Sequence, residues 1–201
     1  MVVDACVSSK WSARATYSRR ACNIKNEALH MAVLCQQVVA GDYAFVLHTT
    51  NPVSNDKDEM MGEMCVGLGE ALVGNYAGRA LSFTYNKKSK QVSVTGFASK
   101  RQGLFLSEDS LIFRSDSNGE DLEGFAGAGL YDSIIAVDPD TNTVDYTEDK
   151  LMWDEAFRSQ ILNKLGEVGA AIETATNSAQ DIEGVVKGGT VTILQLRPQI
   201  D

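Results

Sequence analysis

The chain has 201 residues, 44% of them hydrophobic, and a formal charge of −9. That length can bury a core for one domain or two small lobes, and the acidic balance argues against non-specific nucleic-acid or anionic-membrane binding. Cys6, Cys22, Cys35 and Cys65 lack C-x-x-C spacing, which speaks for reduced intracellular thiols; no apolar run is long enough to span a bilayer, and the N-terminus resembles neither a secretory signal nor a transit peptide.

Residues 8–22 read as a helix carrying a basic cluster, Lys10, Arg14, Arg19 and Arg20, expected as a solvated face. Residues 27–35 continue as helix or turn. The stretch Gln36 to Thr49 reads as two strands broken at Gly41-Asp42, followed by a turn at Asn51-Pro52 and a polar loop from Ser54 to Glu59. Glu63 to Val66 is a short strand, and Gly67-Leu68-Gly69-Glu70 opens a short helix through Val73. Arg79 to Tyr85 and Gln91 to Gly96 are strands about a turn, and Leu111 to Arg114 is another strand. Ser115 to Ser133 is a long Gly/Asp/Ser-rich loop, too long for a mere connector, and Asp138 to Thr143 is a turn. Asp154 caps a helix to about Thr174, whose apolar stripe is Phe157, Ile161, Leu165, Val168 and Ile172. A hairpin closes the chain. Strands and helices mix without strict alternation, so the class is α+β, or mixed α/β, rather than a doubly wound sheet.

The closing hairpin carries the strongest chemistry. Alternate residues of a strand share a face, so Asp181 and Glu183 project together, as do Gln195 and Arg197. Two acids, an amide and a guanidinium suit a divalent metal with a polyphosphate: Mg²⁺ takes hard oxygen ligands, and arginine forks onto phosphate. Register decides whether the four meet. A two-residue loop at Gly188-Gly189 would pair Glu183 with Leu194 and turn Gln195 away; a three-residue loop, Gly188 to Thr190, pairs Glu183 with Gln195 and Asp181 with Arg197 and gathers Ile182, Leu194 and Leu196 on the apolar face. The three-residue register is the expectation.

Two further segments bear on anion binding. In FRSDSNGEDLEGFAGAGLYDS (Phe113 to Ser133), Arg114 ends a strand, Ser115 adds a hydroxyl, and Gly124, Gly127 and Gly129 let backbone amides approach an anion. It is neither a Walker A loop nor a dinucleotide fingerprint. Glu70 closes the GLGE strand-to-helix turn, whose amides could face an anion or a ribose. His30, in a helical stretch, and His48, at a strand end, build no triad or metal cluster and are read as structural.

Together, DYAFVLHTTNP (Asp42 to Pro52), VGLGEALVGNYAGRALSF (Val66 to Phe83), the Phe113–Ser133 loop and QDIEGVV…LQLRPQ (Gln180 to Gln199) closely resemble the C-terminal part of the α-glucan water dikinases, whose nucleotide-binding domain resembles that of pyruvate phosphate dikinase and phosphoenolpyruvate synthase. The resemblance runs from about Trp11 to Gln199. It implies an ATP-grasp-like nucleotide-binding lobe with a mixed or antiparallel sheet, ATP as substrate and Mg²⁺ as cofactor. It implies transfer of the β-phosphate of ATP through a phosphohistidine to a glucosyl residue of starch, and of the γ-phosphate to water. It implies plastid residence, as in the chloroplast stroma.

By the same resemblance, Glu183 and Gln195 are the metal-contacting acid and amide. Arg197 and Arg114 offset charge on the transferring group. Asp181, Ser115, Gly127, Gly129 and, near the sugar or base, Glu70 complete the nucleotide contacts. The phosphorylatable histidine and the N-terminal lobe that supplies a lysine and a further arginine have no counterpart in residues 1–201, so the chain is expected to be a partial nucleotide-binding domain that reaches α-glucan through other domains. A related phosphotransferase with a different acceptor, such as pyruvate or an antibiotic, and a non-catalytic nucleotide-binding or interaction fragment are the alternatives.

Overall fold

A computed structural model describes residues 2–74, 76–119 and 130–199. In chain order the elements are α1 (Val2–Ser8), α2 (Ala13–Ala21), β1 (Met31–Gln37), β2 (Tyr43–His48), β3 (Glu59–Val66), α3 (Glu70–Val73), β4 (Leu81–Asn86), β5 (Gln91–Gly96), β6 (Gln102–Phe105), β7 (Leu111–Ser117), β8 (Ser133–Ile135), β9 (Asp140–Thr143), α4 (Lys150–Trp153), α5 (Glu155–Thr176), β10 (Gln180–Lys187) and β11 (Thr190–Pro198). All described strand pairings are antiparallel. The mixed α/β class with an antiparallel sheet is thus as the sequence indicates.

The chain divides into two compact units, Met1–Val38 with Leu106–Asp138, and Val39–Phe105 with Pro139–Asp201. In the first, β1, β7 and β8 form a three-stranded sheet in the order β1-β7-β8. Here the helix-or-turn reading of residues 27–35 holds only up to Met31, where a strand begins after a short 3₁₀ turn at Asn26–Ala28. Met, Ala, Leu and Gln are good helix formers, yet Met31–Gln37 pairs along its whole length with Leu111–Ser117, and tertiary pairing overrides propensity. His30 accordingly precedes a strand, its amide donating to Asn118 Oδ1 at 2.8 Å. The helix read over residues 8–22 is broken at Ser12, whose hydroxyl caps α2 by accepting from the Ala15 amide. The basic cluster is not a uniform solvated face either. Arg19 is only 3% exposed and donates to the Lys10 carbonyl, and Arg14 is ion-paired to Asp132.

The second unit is built on a six-stranded sheet in the order β11-β10-β2-β3-β4-β5. The strand read at Glu63 to Val66 begins four residues earlier, at Glu59, and the turn read over Asp138 to Thr143 contains β9, which pairs with β6 as a separate ribbon. One face of the six-stranded sheet carries the main core: Phe45, Leu47, Met60, Met64, Leu81, Phe83, Ile182 and Val186 pack with Ile161, Leu162 and Leu165 of α5. Asp154 caps α5 by accepting from the Phe157 amide, and Asn177, at φ 54°, ends it in the left-handed conformation. The buried stripe of α5 runs through Gly166 and Gly169 rather than Val168. A Cβ at Gly166 would stand 2.3 Å from the buried Tyr85 ring, so glycine is what lets the helix backbone lie this close to the sheet.

The opposite face holds a smaller cluster, Ala44, Cys65 and Val185 with Ala71 of α3, joined by Leu72 and Leu194. Beyond that cluster this face turns polar.

Candidate functional site

Strand register lays the polar face out in rows. Asp181 lies opposite Arg197 on one side and His48 on the other, and His48 opposite Met61. In the next row Glu183 lies opposite Gln195 and Val46, and Val46 opposite Glu63. Asp181, Glu183, Gln195 and Arg197 therefore project together, with His48 and Glu63 further along the same surface.

The four-residue grouping is the one the sequence indicates, but it arises by a different route. The loop has two residues, not three: Lys187 pairs with Thr190 across Gly188 and Gly189, at φ 53° and 77°. Positive φ at both central positions is the requirement of a type I′ turn, which glycine meets without strain. The turn is tied down from two sides, by the Gly188 amide donating to Asp42 Oδ2 at 2.7 Å and by Lys164 Nζ donating to the Gly189 carbonyl at 2.6 Å. Regular pairing from such a turn would set Leu194 against Glu183. A β-bulge intervenes: Gly184 pairs with Ile193, Glu183 with Gln195, and Leu194 is the extra residue. Leu194 consequently packs against the small cluster of Ala44, Cys65, Ala71 and Val185 instead of joining the face of Ile182.

Asp181 is 7% exposed. Its Oδ2 accepts from Arg197 Nε and lies 2.8 Å from Arg197 Nη2, a charge-assisted fork. Its Oδ1 is buried, makes no hydrogen bond among the described residues, and lies 3.6 Å from His48 Nδ1, which is also buried and likewise without a hydrogen bond there. The sequence reads His48 as structural. The signal available was its place at the end of β2, where period-two counting alone sets it beside the Asp181 row once the β2–β10 pairing is known.

Beside these groups lies a pocket of 320 Å³ lined by Val46, His48, Met61 and Glu63 from the sheet, Leu72 and Val73 of α3, and Pro52. Pro52 is held by an Asx turn in which Asn51 Oδ1 accepts from the Val53 amide, while Asn51 Nδ2 donates to Glu59. Gln199 fixes the adjoining strand end by bonding both backbone groups of Thr50. Glu70, the first residue of α3, is exposed. On this face burial pushes the Cys65 thiol up to about 12.

The other expected contacts lie in the first unit. Arg114 does not end a strand but sits in the middle of β7, opposite Leu34, and Ser115 stands opposite Val33. Being successive strand residues, they project to opposite faces of that sheet. Gly124, Gly127 and Gly129 fall outside the described residues. Among the described residues no three His, Cys, Asp or Glu side chains are grouped to hold a metal ion by themselves. A cation here would therefore draw ligands from phosphate or water as well as from Glu183 and Gln195.

Residues 2–200 match the family model described as "Pyruvate phosphate dikinase, AMP/ATP-binding domain". The chain belongs to this family. Within the dikinase family, it is 50% identical over 194 residues, 96% of its length, to Alpha-glucan water dikinase 2 of Arabidopsis thaliana. It is 49% identical over 201 residues, its full length, to the chloroplastic Alpha-glucan water dikinase of Solanum tuberosum. It is 27% identical over 198 residues, 98% of its length, to a Probable phosphoenolpyruvate synthase of Methanocaldococcus jannaschii. It spans only 15%, 14% and 14% of those three relatives. No helix among the described residues is long and apolar enough to cross a membrane.

Proposed function

We propose that this chain is the ATP- and Mg²⁺-holding part of an α-glucan water dikinase with an ATP-grasp-like lobe, located in the plastid. The observation that carries the reading is the juxtaposition on one sheet face of an Asp181–Arg197 fork, the Glu183–Gln195 pair and a 320 Å³ pocket with largely apolar walls. Such a pocket takes the nucleoside, and the hairpin groups beside it take the phosphates. Identity near 50% to water dikinases, against 27% to the archaeal synthase, favours a glucan and water over pyruvate as acceptors.

The donor set fits a magnesium ion. Carboxylate and carboxamide oxygens are hard ligands, and Glu183 and Gln195 present one of each from directly paired positions. Bound Mg²⁺ would supply Lewis-acid neutralisation of phosphate charge. The chain's own residues do the rest. Glu183 and Gln195 offer oxygens from a register fixed by the bulge. Arg197, oriented by Asp181, offers its guanidinium to phosphate oxygens, while the apolar walls exclude water from the nucleoside end. Glu70 lies at the start of the helix forming one wall and is assigned to the sugar or base. The resemblance also assigns Arg114, Ser115, Gly127 and Gly129 to phosphate binding.

In the proposed reaction the β-phosphate passes by way of a histidine to a glucosyl hydroxyl and the γ-phosphate to water. That histidine and the glucan-binding surface are assigned to other domains of a longer protein. Thermal unfolding with nucleotide tests the binding claim. Mg-ATP at 100 times its dissociation constant stabilises the native state by about 2.7 kcal/mol. An unfolding midpoint unmoved at millimolar Mg-ATP overturns it.

A further inference from the structure

The pair of buried polar atoms between β2 and β10 extends this reading. Asp181 has one oxygen saturated by Arg197 and the other, Oδ1, enclosed without a donor. His48 Nδ1 lies 3.6 Å from that oxygen and is itself enclosed without a hydrogen bond among the described residues. Buried polar groups are nearly always hydrogen-bonded, and two orphans facing each other need a reason. Their backbones are fixed. Asp181 and His48 are direct cross-strand partners, and one residue on, the Thr49 amide donates to the Gln180 carbonyl at 2.9 Å while the Gln180 amide donates to Thr49 Oγ1 at 2.8 Å. Only side-chain rotation is left, and under an ångström of it brings Nδ1 to ordinary hydrogen-bond range.

We propose that His48 is a positioning residue for the phosphate site, its Nδ1–H closing onto Asp181 Oδ1 when nucleotide binds and thereby fixing the plane of the carboxylate that aims Arg197. The inference rests on the nucleotide reading above. The His48 ring also lines the pocket, so a nucleoside seated there presses on the same ring whose nitrogen faces Asp181. One side chain then links the base end of the ligand to the guanidinium at its phosphate end. An apolar residue at position 48 could line the pocket equally well; it could not hold the second oxygen of a buried carboxylate.

The test uses the full 201-residue chain, with Mg-ATP and Mg-tripolyphosphate titrated calorimetrically against His48→Phe, His48→Asn and His48→Gln. The asparagine amide nitrogen reproduces the position of Nδ1; that of glutamine reproduces Nε2. His48→Phe is expected to weaken both ligands about tenfold, a fair loss for one hydrogen bond to a charged group. His48→Asn is expected to remain within threefold of the parent, and His48→Gln to behave like His48→Phe. In an Arg197→Ala background, His48→Phe is expected to change nothing further, because the effect runs through the arginine. Parent-like binding by His48→Phe, failure of His48→Asn to rescue, or additive losses with Arg197→Ala would each overturn the proposal while leaving the nucleotide reading standing. A parent chain that binds neither ligand overturns both.

Discussion

The two faces of the six-stranded sheet are made by the same strands, alternating residue by residue, and they do opposite things. On one, Phe45, Leu47, Phe83 and Ile182 are at most 2% exposed and close against α5, whose two glycines admit the sheet side chains. On the other, Asp181, Glu183, His48, Gln195 and Arg197 stand where a second core could have been, and Asp181 Oδ1 and His48 Nδ1, both buried, make no hydrogen bond among the described residues. Packing satisfied in full gives stability; polar groups held by rigid strands give the face on which we propose the ligand binds. Period two lets one sheet do both, provided the register does not slip.

The sharpest way to break this comparison is a core deletion. Phe83→Ala removes a fully buried ring from the α5 face and is expected to lower unfolding stability by about 3–5 kcal/mol. Any fraction still folded should bind Mg-ATP with parent affinity. Denaturant titration alongside calorimetry checks both halves, and a stable protein that has lost ATP binding would refute the division of labour.

Next come the two acids. Glu183→Gln should weaken Mg-ATP by roughly tenfold, more than Asp181→Asn does, as expected for a metal-contacting oxygen. Stability should rank the other way, because Asp181 is the buried partner of Arg197 and neutralising it removes a charge-assisted fork. Equal effects of the two on both readouts would remove Glu183 from the site.

Deleting Leu194 should leave binding nearly intact. The deletion removes the bulge residue, so Ile193 still pairs with Gly184 and Gln195 with Glu183; Mg-ATP affinity should stay within about threefold, with a stability loss of about 2 kcal/mol from the emptied apolar contact. Loss of Mg-ATP binding in a folded deletion variant would show that the register is set otherwise.

The smallest effect concerns Cys65. Burial pushes its thiol up to about 12, against about 8.5 for an unfolded cysteine. As pH rises past that unfolded value, the unfolded chain loses a proton that the native chain keeps. This contribution to stability is therefore flat below about pH 8.5 and falls above it. At neutral pH, iodoacetamide should modify exposed Cys35 and spare Cys65 until the protein unfolds. Equal labelling of the two in the native protein would mean that the face is more open than described.

The grouping of the four hairpin residues is legible because strand period and residue chemistry coincide there: Asp181, Glu183, Gln195 and Arg197 are spaced to share a face, and the structure pairs them as the sequence indicates. The loop length is not. Two glycines fit either a two- or a three-residue turn, and the bulge at Leu194 leaves no local signature, since its reason is the apolar cluster across the sheet. β1 was hidden by helix-forming residues that only their partner strand makes extended. The burial of Arg19 and the middle-of-strand position of Arg114 likewise depend on what packs or pairs with them, which neighbours in sequence do not reveal. The same holds for His48, whose cross-strand partner Asp181 lies 133 positions away.

The central claim is that the polar face of this sheet receives a magnesium-bound triphosphate. Hydrogen–deuterium exchange of the whole chain, with and without Mg-ATP, tests it most directly. The account predicts slower exchange along Gln180–Lys187 and Thr190–Pro198 and at Glu70–Val73, lost when Arg197 is replaced by alanine. Protection confined to other segments, or unchanged exchange in the hairpin at saturating Mg-ATP, would contradict it.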